Sequence, residues 1–449
     1  MTTIVWFRQD LRLHDHPALL SAAASGAIIP VYVLDNEGPG EWRIGGAQRW
    51  WLHHSLATLD ASLREKGSRL ILRQGPAAAT LLALAEETGA DAIHAIRHYE
   101  PWWRAAEAAI GEGLCLHEGG HLRPPESVTT ASGGRFRIFS AFFRSLSASL
   151  PPEPPCGAPD VLTAPEHWPA SDDLADWNLL PTRPNWASGF EEWAPGEAGA
   201  RGALETFADA IRHYSTGRNM PSEEGTSRLS PHLHHGEISP RQVWHKLSDG
   251  GEGGAAFRRE LAWRDFTAGL ILALPDYARE NGRRQFDRLP WREAPADLKA
   301  WQQGRTGYPI VDAGMRQLWA TGWMHNRVRM ITASFLVKHL LIDWRAGERW
   351  FWDTLVDADY GNNSVNWQWV AGTGIDANMF GRIMAPLSQS EKFEAGDYIR
   401  RWVPELRGLS NETIHDPDEA GCRPADYPPK IIGHREARER ALAAGRKVR

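Results

Sequence analysis

The 449-residue chain has few cysteines and no long apolar run. Its three cysteines, Cys115, Cys156 and Cys422, are far apart and odd in number, which argues against a disulfide framework and against a four-cysteine iron–sulfur cluster. The apolar stretch ITASFLVKHLLIDW is interrupted by Lys338 and His339, so no segment reaches membrane-spanning length. The N-terminus, MTTIVWFRQDLR, carries charge where a signal peptide would be apolar. We therefore expect a cytoplasmic protein that does not enter membranes.

Common nucleotide-binding loops and metal-ligand patterns are also missing. Neither GxGxxG after a strand nor GxxxxGK[ST] occurs, so ordinary dinucleotide and phosphate-loop proteins lose support. The net charge of −6 argues against indiscriminate coating of nucleic acid, but it allows a local basic surface. The run HLHH at 232–235 has no carboxylate or cysteine at ligand spacing, and we predict no metal site.

The first 130 residues alternate short apolar runs with helical patterns. The runs TIVWF, AIIPVYVLD, RLILRQ, DAIHAIRHY and LCLHE are typical of buried strands rich in β-branched residues. Strand–helix alternation predicts a doubly wound parallel sheet, an α/β domain whose ligands bind beyond the carboxyl ends of the strands.

The composition then changes twice. Residues 131–199 contain the proline-rich stretch PPEPPCGAPDVLTAPEHWPASDD, which is typical of an interdomain connector. Residues 200–430 lack strand patterns and predict an all-helical domain, followed by a basic tail at 431–449. Two helix starts are marked by Ser230-Pro231 and Ser239-Pro240, each with a capping serine before a proline at the first helical position.

The segment NNSVNWQW places Trp367 and Trp369 two residues apart. On a strand the two rings would share one face. On a helix they would point to nearly opposite sides, because two residues turn about 200°. Two rings that point apart could have two different functions.

Three clusters in the helical half suggest a binding site. In RRELAWRDF, Glu260 and Trp263 share a helix face, and in WMHNRVRM so do Asn326 and Met330. In TSRLSP, hydroxyls and free backbone N–H groups before a helix start suit a phosphate. Each cluster alone is also compatible with an ordinary solvated helix face or a simple cap.

Taken together, five separated motifs identify a family. WFRQDLRLHDHPAL, EGTSRLSPHL, GEISPRQVW, TGYPIVDAGMRQLWATGWMHNRVRMITASFLVKHLLIDW and NWQWVAGTGIDAN resemble the DNA photolyase/cryptochrome family, in this order and over nearly the whole length. The resemblance is closest to photolyases for cyclobutane pyrimidine dimers. The stretch FGRIMAPLSQSEKF replaces the more usual YFRIFNP pattern, so the subclass stays open.

The resemblance implies FAD, bound inside the helical domain. Asn362 would face flavin N5, where a neutral amide tolerates an anionic reduced flavin. Plant-type cryptochromes carry an acid there, so asparagine favours a repair enzyme. Arg329 and Asp357 would form an ion pair beside the flavin, and Asp359 would lie near the ribose and ring. The other implied cofactor residues are Tyr214, Thr226, Ser227, Arg228, Leu229, Ser230 and Ala358.

The resemblance also implies a pocket for a dimer flipped out of UV-damaged DNA. Its residues would be Glu260, Trp263, Asn326, Arg327, Met330 and Trp369, with Arg218, Arg327 and Gln389 as phosphate or strand contacts. Photolyases for (6-4) lesions carry histidines where this chain has Asn326 and Met330, so that lesion class is disfavoured. We expect a monomer that associates with the nucleoid when it is bound to DNA.

Light-driven electron transfer is the activity that the resemblance implies. Trp367, Trp344 and Trp291 would form a chain of electron donors to the flavin. Glu100 lies where folate-binding relatives place an acid, and the second chromophore could be methenyltetrahydrofolate or a deazaflavin. Two alternatives to repair remain: a cryptochrome-like photoreceptor, and a flavoprotein that only shuttles electrons, which would not need Glu260, Trp263 and Met330 together.

Overall fold

A five-stranded parallel sheet forms the N-terminal part of the molecule. The computed structural model describes residues 1–377 and 380–448, so the last residue of the motif NWQWVAGTGIDAN, Asn378, lies outside the described residues. The strands are β1 Thr2–Phe7, β2 Ala27–Leu34, β3 Ile71–Gln74, β4 Ala92–Ile96 and β5 Leu114–His117. Their order is β3-β2-β1-β4-β5, and every neighbouring pair is parallel. All five predicted strands are confirmed.

Helices cover both faces of this sheet. They are α1 Pro17–Ser25, α2 Gly46–Glu65, α3 Ala77–Thr88 and α4 Pro101–Ile110. Phe7 belongs to a core shared with Leu56 of α2, whereas its neighbour Trp6 belongs to the opposite core with Leu81 of α3. Successive side chains of a strand point to opposite faces, so this division confirms the doubly wound arrangement.

The regular elements of the described chain after β5 are helices. The helices are α5 Phe139–Ser147, α6 Glu197–Ala210, α7 Tyr214–Gly217, α8 Ser230–His234, α9 Pro240–Lys246, α10 Gly251–Ala273, α11 Pro295–Gln302, α12 Pro309–Thr321, α13 Asn326–Ser334, α14 Trp344–Thr354, α15 Tyr360–Ala371, α16 Pro386–Lys392, α17 Gly396–Trp402 and α18 His434–Arg446. A π-helical turn, Phe335–His339, extends α13. Within residues 1–377 and 380–448, no helix combines the length and apolarity that a membrane span requires.

Two segments outside the predicted helical domain pack into its core. In the predicted connector, α5 buries Phe139, Phe142 and Leu146 beside α10. In the predicted basic tail, α18 buries Ala437 and Ala441 in the main helical core. The interpretation of 431–449 as a tail beyond the domain was therefore wrong for α18: alanines at helical spacing form an apolar stripe that the many charges obscured.

One of the two predicted helix caps is present. The Ser239 hydroxyl accepts from Gln242 N at 3.0 Å, and the Gln242 side chain accepts from Ser239 N at 2.9 Å, which together form a capping box. The prediction for Ser230 was wrong, because Ser230 is already inside α8 and its side chain caps no backbone group. Its hydroxyl instead accepts from Trp323 Nε1 at 3.3 Å.

Buried polar contacts join the two domains near residues 232–240. Arg12 donates to the carbonyl oxygens of Gly236 at 3.0 Å and Gly119 at 3.0 Å, and Trp51 Nε1 donates to Glu237 at 2.9 Å. Gly236 has φ +69°, and a Cβ there would lie 2.1 Å from the backbone oxygen of Gln9. Only glycine lets the backbones approach this closely.

We predict that Gly236→Ala destabilises the protein by about 2–4 kcal/mol, because it adds left-handed strain and overpacking at the domain interface. Gly202→Ala in α6, where a Cβ meets no atom within 4 Å, is the matched control and should stabilise by roughly 0.5–1 kcal/mol. Urea unfolding of both variants measures the difference. Equal stability of the two variants would contradict the close approach.

Candidate active site

A cavity of the helical domain has a volume of about 540 Å³ and is lined by most of the predicted site residues. Five lie outside its lining: Glu100, Leu229, Trp291, Trp344 and Gln389. The predicted residues that line it are Tyr214, Arg218, Thr226, Ser227, Arg228, Ser230, Glu260, Trp263, Asn326, Arg327, Arg329, Met330, Asp357, Ala358, Asp359, Asn362, Trp367 and Trp369. Residues that are far apart in the sequence thus meet in one space.

The start of α15 fixes the Asn362 side chain. Asp359 is the N-cap residue, and its Oδ1 accepts from Asn362 N at 2.6 Å and from Asn362 Nδ2 at 2.9 Å. The Asn362 Oδ1 atom accepts from the Thr267 hydroxyl at 3.2 Å. Burial opposes ionisation of Asp359, but the His234 ring, 4.0 Å from the carboxylate, and the positive charge of Arg264 hold its pKa below the ordinary value. An ionised cap therefore orients the amide at the cavity wall.

Arg329 and Asp357 form an ion pair in the cavity wall. The two guanidinium nitrogens Nη1 and Nη2 lie 3.0 and 2.8 Å from the two carboxylate oxygens, and Arg329 Nε donates to Met324 O at 2.7 Å. This bidentate geometry is strong and directional. The predicted pairing is present, and its position beside a flavin stays a prediction.

Trp263 is held by an aromatic ring that the sequence analysis missed. The Phe139 ring stacks on it with centroids 3.7 Å apart and planes within 6°. Phe139 begins α5, and its backbone N–H is bonded to Asp376 at 2.9 Å. The spacing of Phe139, Phe142 and Phe143 is that of one helix face, and this signal inside the presumed connector could have revealed the contact.

Charged residues at the cavity contact one another. Arg218 and Glu260 form an ion pair at 2.7 Å. Arg327 bonds to Asn219, and its guanidinium lies 4.5 Å from the centre of the Phe393 ring. These partners hold the side chains in place while they still line the cavity.

Two residues with predicted cofactor or DNA contacts, Leu229 and Gln389, lie outside the cavity lining. Leu229 is fully buried in the second helical core, and half-buried Gln389 belongs to α16. Neither lines the cavity, so their predicted contacts stay predictions. Trp323 and Arg264, which the sequence analysis did not select, do line it.

The segment NNSVNWQW is helical, which confirms the second of the two alternatives. Trp367 is 3% exposed and its ring contacts Phe351 and Trp301, with centroids 5.0 and 6.3 Å away. Trp369 is half-buried at the cavity. One ring therefore packs into the core, whereas the other remains accessible.

The three tryptophans of the predicted electron-transfer chain make contacts with other residues. Trp344 Nε1 donates to Asn281 at 3.0 Å, and Trp291 lies 6.4 Å from Phe380. Among the ring pairs of residues 1–377 and 380–448, Trp367 contacts Trp301 rather than Trp344. The order of electron transfer through Trp344 and Trp291 stays a prediction.

Comparison with known proteins agrees with this arrangement. A family model described as DNA photolyase matches residues 3–160, and one described as the FAD binding domain of DNA photolyase matches residues 257–447. A deoxyribodipyrimidine photo-lyase of Agrobacterium fabrum is 49% identical over 98% of this chain and 97% of that protein. The chain belongs to the DNA photolyase family. Its helical domain is an FAD-binding domain, as predicted.

Two further similarities place the chain within this family. The crystal structure of a bacterial class III photolyase from Agrobacterium tumefaciens is 47% identical, with a TM-score of 0.95 over 100% of this chain and 97% of that one. Cryptochrome-1 of Arabidopsis thaliana is 37% identical over 98% of this chain and 69% of that protein. The family thus includes proteins named as repair enzymes and as cryptochromes.

The chemistry of the cavity wall fits FAD. Hydroxyls of Thr226, Ser227 and Ser230 offer hydrogen bonds to phosphates, and Phe351, Leu355 and Trp367 offer apolar surface to aromatic rings. The amide of Asn362 and the Arg329–Asp357 pair supply further polar groups in the same wall. A dinucleotide with one apolar ring system and one charged diphosphate needs this combination.

A buried carboxyl supports the wall from behind. Glu348 of α14 is fully buried and accepts from Asn363 Nδ2 at 2.8 Å, and Asn363 lines the cavity. Burial raises the pKa of Glu348 from the ordinary 4.5 to about 8. The group is therefore protonated in the folded protein at neutral pH.

We predict that Glu348→Gln flattens the pH dependence of stability. The folded carboxyl stays protonated between about pH 4.5 and 8 while the unfolded one ionises, so the wild-type protein loses stability as pH rises through this window, by on the order of 3–5 kcal/mol. A neutral glutamine removes this loss. Urea unfolding at pH 5 and pH 9 tests the difference, with Glu439→Gln on the exposed face of α18 as the control that should not change the curve.

Proposed function

We propose that this chain is a light-dependent lyase that reverses cyclobutane pyrimidine dimers in DNA. The observation that carries the proposal is that one cavity contains both residue sets: the cofactor set around Asn362 and the lesion set around Glu260 and Trp263. A flipped-out dimer in this cavity would lie against a bound flavin without an intervening protein layer. The similarity to photolyases over the whole chain supports the same conclusion.

The lesion set supplies stacking and hydrogen bonds. A dimer is already poorly paired and stacked, so its extrusion costs less than that of normal bases. Trp263 and Trp369 offer aromatic faces, each contributing about 1–3 kcal/mol per stacked base. Glu260 and Asn326 can hydrogen-bond the pyrimidine edges, while Arg218 and Arg327 can contact phosphates.

The cofactor set holds FAD and controls its surroundings. Thr226, Ser227 and Ser230 would bind the diphosphate, and Asn362 would bind the flavin through an amide that Asp359 orients. When bound in its reduced form, FAD supplies an electron under light, which opens the cyclobutane ring and then returns, so there is no net redox change.

A second chromophore, either methenyltetrahydrofolate or a deazaflavin, belongs to the proposal as a light harvester. We propose that the protein acts as a monomer in the cytoplasm and on nucleoid DNA. The competing function is that of a blue-light photoreceptor without repair, which the similarity to a plant cryptochrome favours. The lesion-binding residues in the cavity favour repair, because a photoreceptor does not require them.

The proposal predicts that the reduced, FAD-loaded protein removes cyclobutane dimers from DNA under blue light and not in the dark. Loss of dimers is measured by restoration of sites for a restriction enzyme that a dimer blocks. Glu260→Gln should reduce repair and lesion affinity with normal FAD content, since an unpaired group at the lesion edge costs about 1–3 kcal/mol. Light-dependent flavin chemistry without any repair would instead support the photoreceptor.

Substitution of Trp367 and substitution of Trp369 should impair different functions. Trp367→Phe keeps most of the apolar volume but is far harder to oxidise, so flavin photoreduction should fall at least tenfold while chemically reduced enzyme still repairs. Trp369→Ala should weaken lesion binding by about 5- to 150-fold, the equivalent of about 1–3 kcal/mol of stacking, and leave photoreduction intact. Flavin absorbance under blue light and lesion binding are measured for both variants. Loss of the same function in both would refute separate roles.

A further inference from the structure

A second, smaller cavity lies directly behind Asn362. Its volume is about 30 Å³, and it lies between the carboxyl ends of the sheet strands and the helical domain. Arg264, Asp359 and Asn362 line both this cavity and the large one. On the side of the α/β domain the wall includes Arg12, His98, Glu100 and His121.

Buried polar atoms around this cavity have no hydrogen-bond partner within the described protein. They include His98 Nε2, His121 Nδ1, His234 Nδ1 and Arg264 Nε. Such atoms destabilise a fold unless water or a ligand satisfies them. A cavity of this size has room for about two water molecules, so the polar groups can be connected through water. The Glu100 side chain is 6% exposed and accepts from Tyr99 N at 3.1 Å.

Glu100 is a buried carboxyl in this wall. Burial and the negative charge of Asp359 raise its pKa to about 7, against the smaller opposing effect of Arg8. Burial lowers the pKa of His98 and His121, which Arg8 and Arg264 respectively lower further. Both histidines are therefore neutral at pH 7. The other charged or titratable groups that face the cavity are Arg12, His234, Arg264 and Asp359.

We propose that Glu100 and this cavity form a proton-exchange site for reduction of the cofactor on the other side of Asn362. The proposal rests on the proposed FAD site. Reduction of oxidised FAD by a thiol reductant under light takes two electrons from two thiols, which become a disulfide and release two protons. One proton reaches the flavin: the Glu100 O–H bond breaks, an N–H bond forms, and the carboxylate recovers a proton from solvent through the cavity. The second proton stays in solvent.

This assignment gives Glu100 a function at the cavity between the two domains. Glu100 lines the cavity behind Asn362, and the charge of Asp359 acts on it; its predicted contact with an antenna chromophore stays a prediction. Below about pH 7 Glu100 is neutral and holds a proton. Above this pH it has lost the proton and adds a second negative charge beside Asp359, which disfavours a reduced, anionic flavin.

The test compares the pH dependence of photoreduction in the FAD-loaded wild type and in Glu100→Gln. The wild-type rate should fall severalfold as pH rises from 6 to 8. Glu100→Gln should be slower at pH 6, by fivefold or more, and should lack the step near pH 7. Asp265→Asn is the matched control: burial raises the pKa of Asp265 to about 7 as well, but Asp265 lines neither cavity, so the step should persist.

A second measurement does not depend on flavin reduction. Infrared spectra of wild-type protein labelled with ¹³C-glutamate, recorded in the dark between pH 5 and 9, should show a carboxyl band that disappears with a midpoint near pH 7. That band should be absent from Glu100→Gln, whereas the Glu348 band, with a midpoint near pH 8, should remain in both proteins. A wild type with no glutamate titrating near pH 7, or a variant that keeps the photoreduction step, would overturn the proposal. Failure of the proposed repair function is distinguishable from failure of the proton-exchange proposal. It would be observed as absence of dimer repair by the chemically reduced wild-type protein.

Discussion

The buried guanidinium of Arg12 is the contact on which the relation between the two domains depends. Its donors reach carbonyl oxygens of Asp15 and Gly119 in the α/β domain and of Gly236 in the helical domain. A buried charge is tolerated only when its hydrogen bonds are satisfied, so both domains must supply their carbonyls at the same time. This requirement fixes the loop after β1 against the segment before α9.

The arrangement of the active site follows from this interface. The carboxyl ends of the strands, where Glu100 lies, are brought against the start of α15, where Asp359 and Asn362 lie. Asn362 then separates a large cavity suited to a cofactor from a small polar cavity. Ligand binding at the carboxyl end of a parallel sheet is a general rule for α/β folds. Here that end supports a site that is built by the helical domain.

The parts predictable from the sequence were those with a local signal. Buried β-branched runs identified all five strands, and Ser239-Pro240 identified a helix start with a capping serine. Motif resemblance selected the residues that line the large cavity, although no periodicity could show that they meet. The stacking of Phe139 on Trp263 depends on tertiary packing and was missed. The environment of Glu100 also depends on tertiary packing and could not be predicted. Burial and the charge of Asp359, which is 259 positions away in the sequence, raise the pKa of Glu100.

The stack of Phe139 on Trp263 determines how the indole can be used. One face of the ring is covered at 3.7 Å, which leaves a single face for a guest. The covered ring cannot swing between rotamers, so a guest does not have to immobilise it. Ordering a mobile side chain on binding costs about 0.5–1.5 kcal/mol. Under the proposed function, part of that entropy is lost during folding, before a lesion binds.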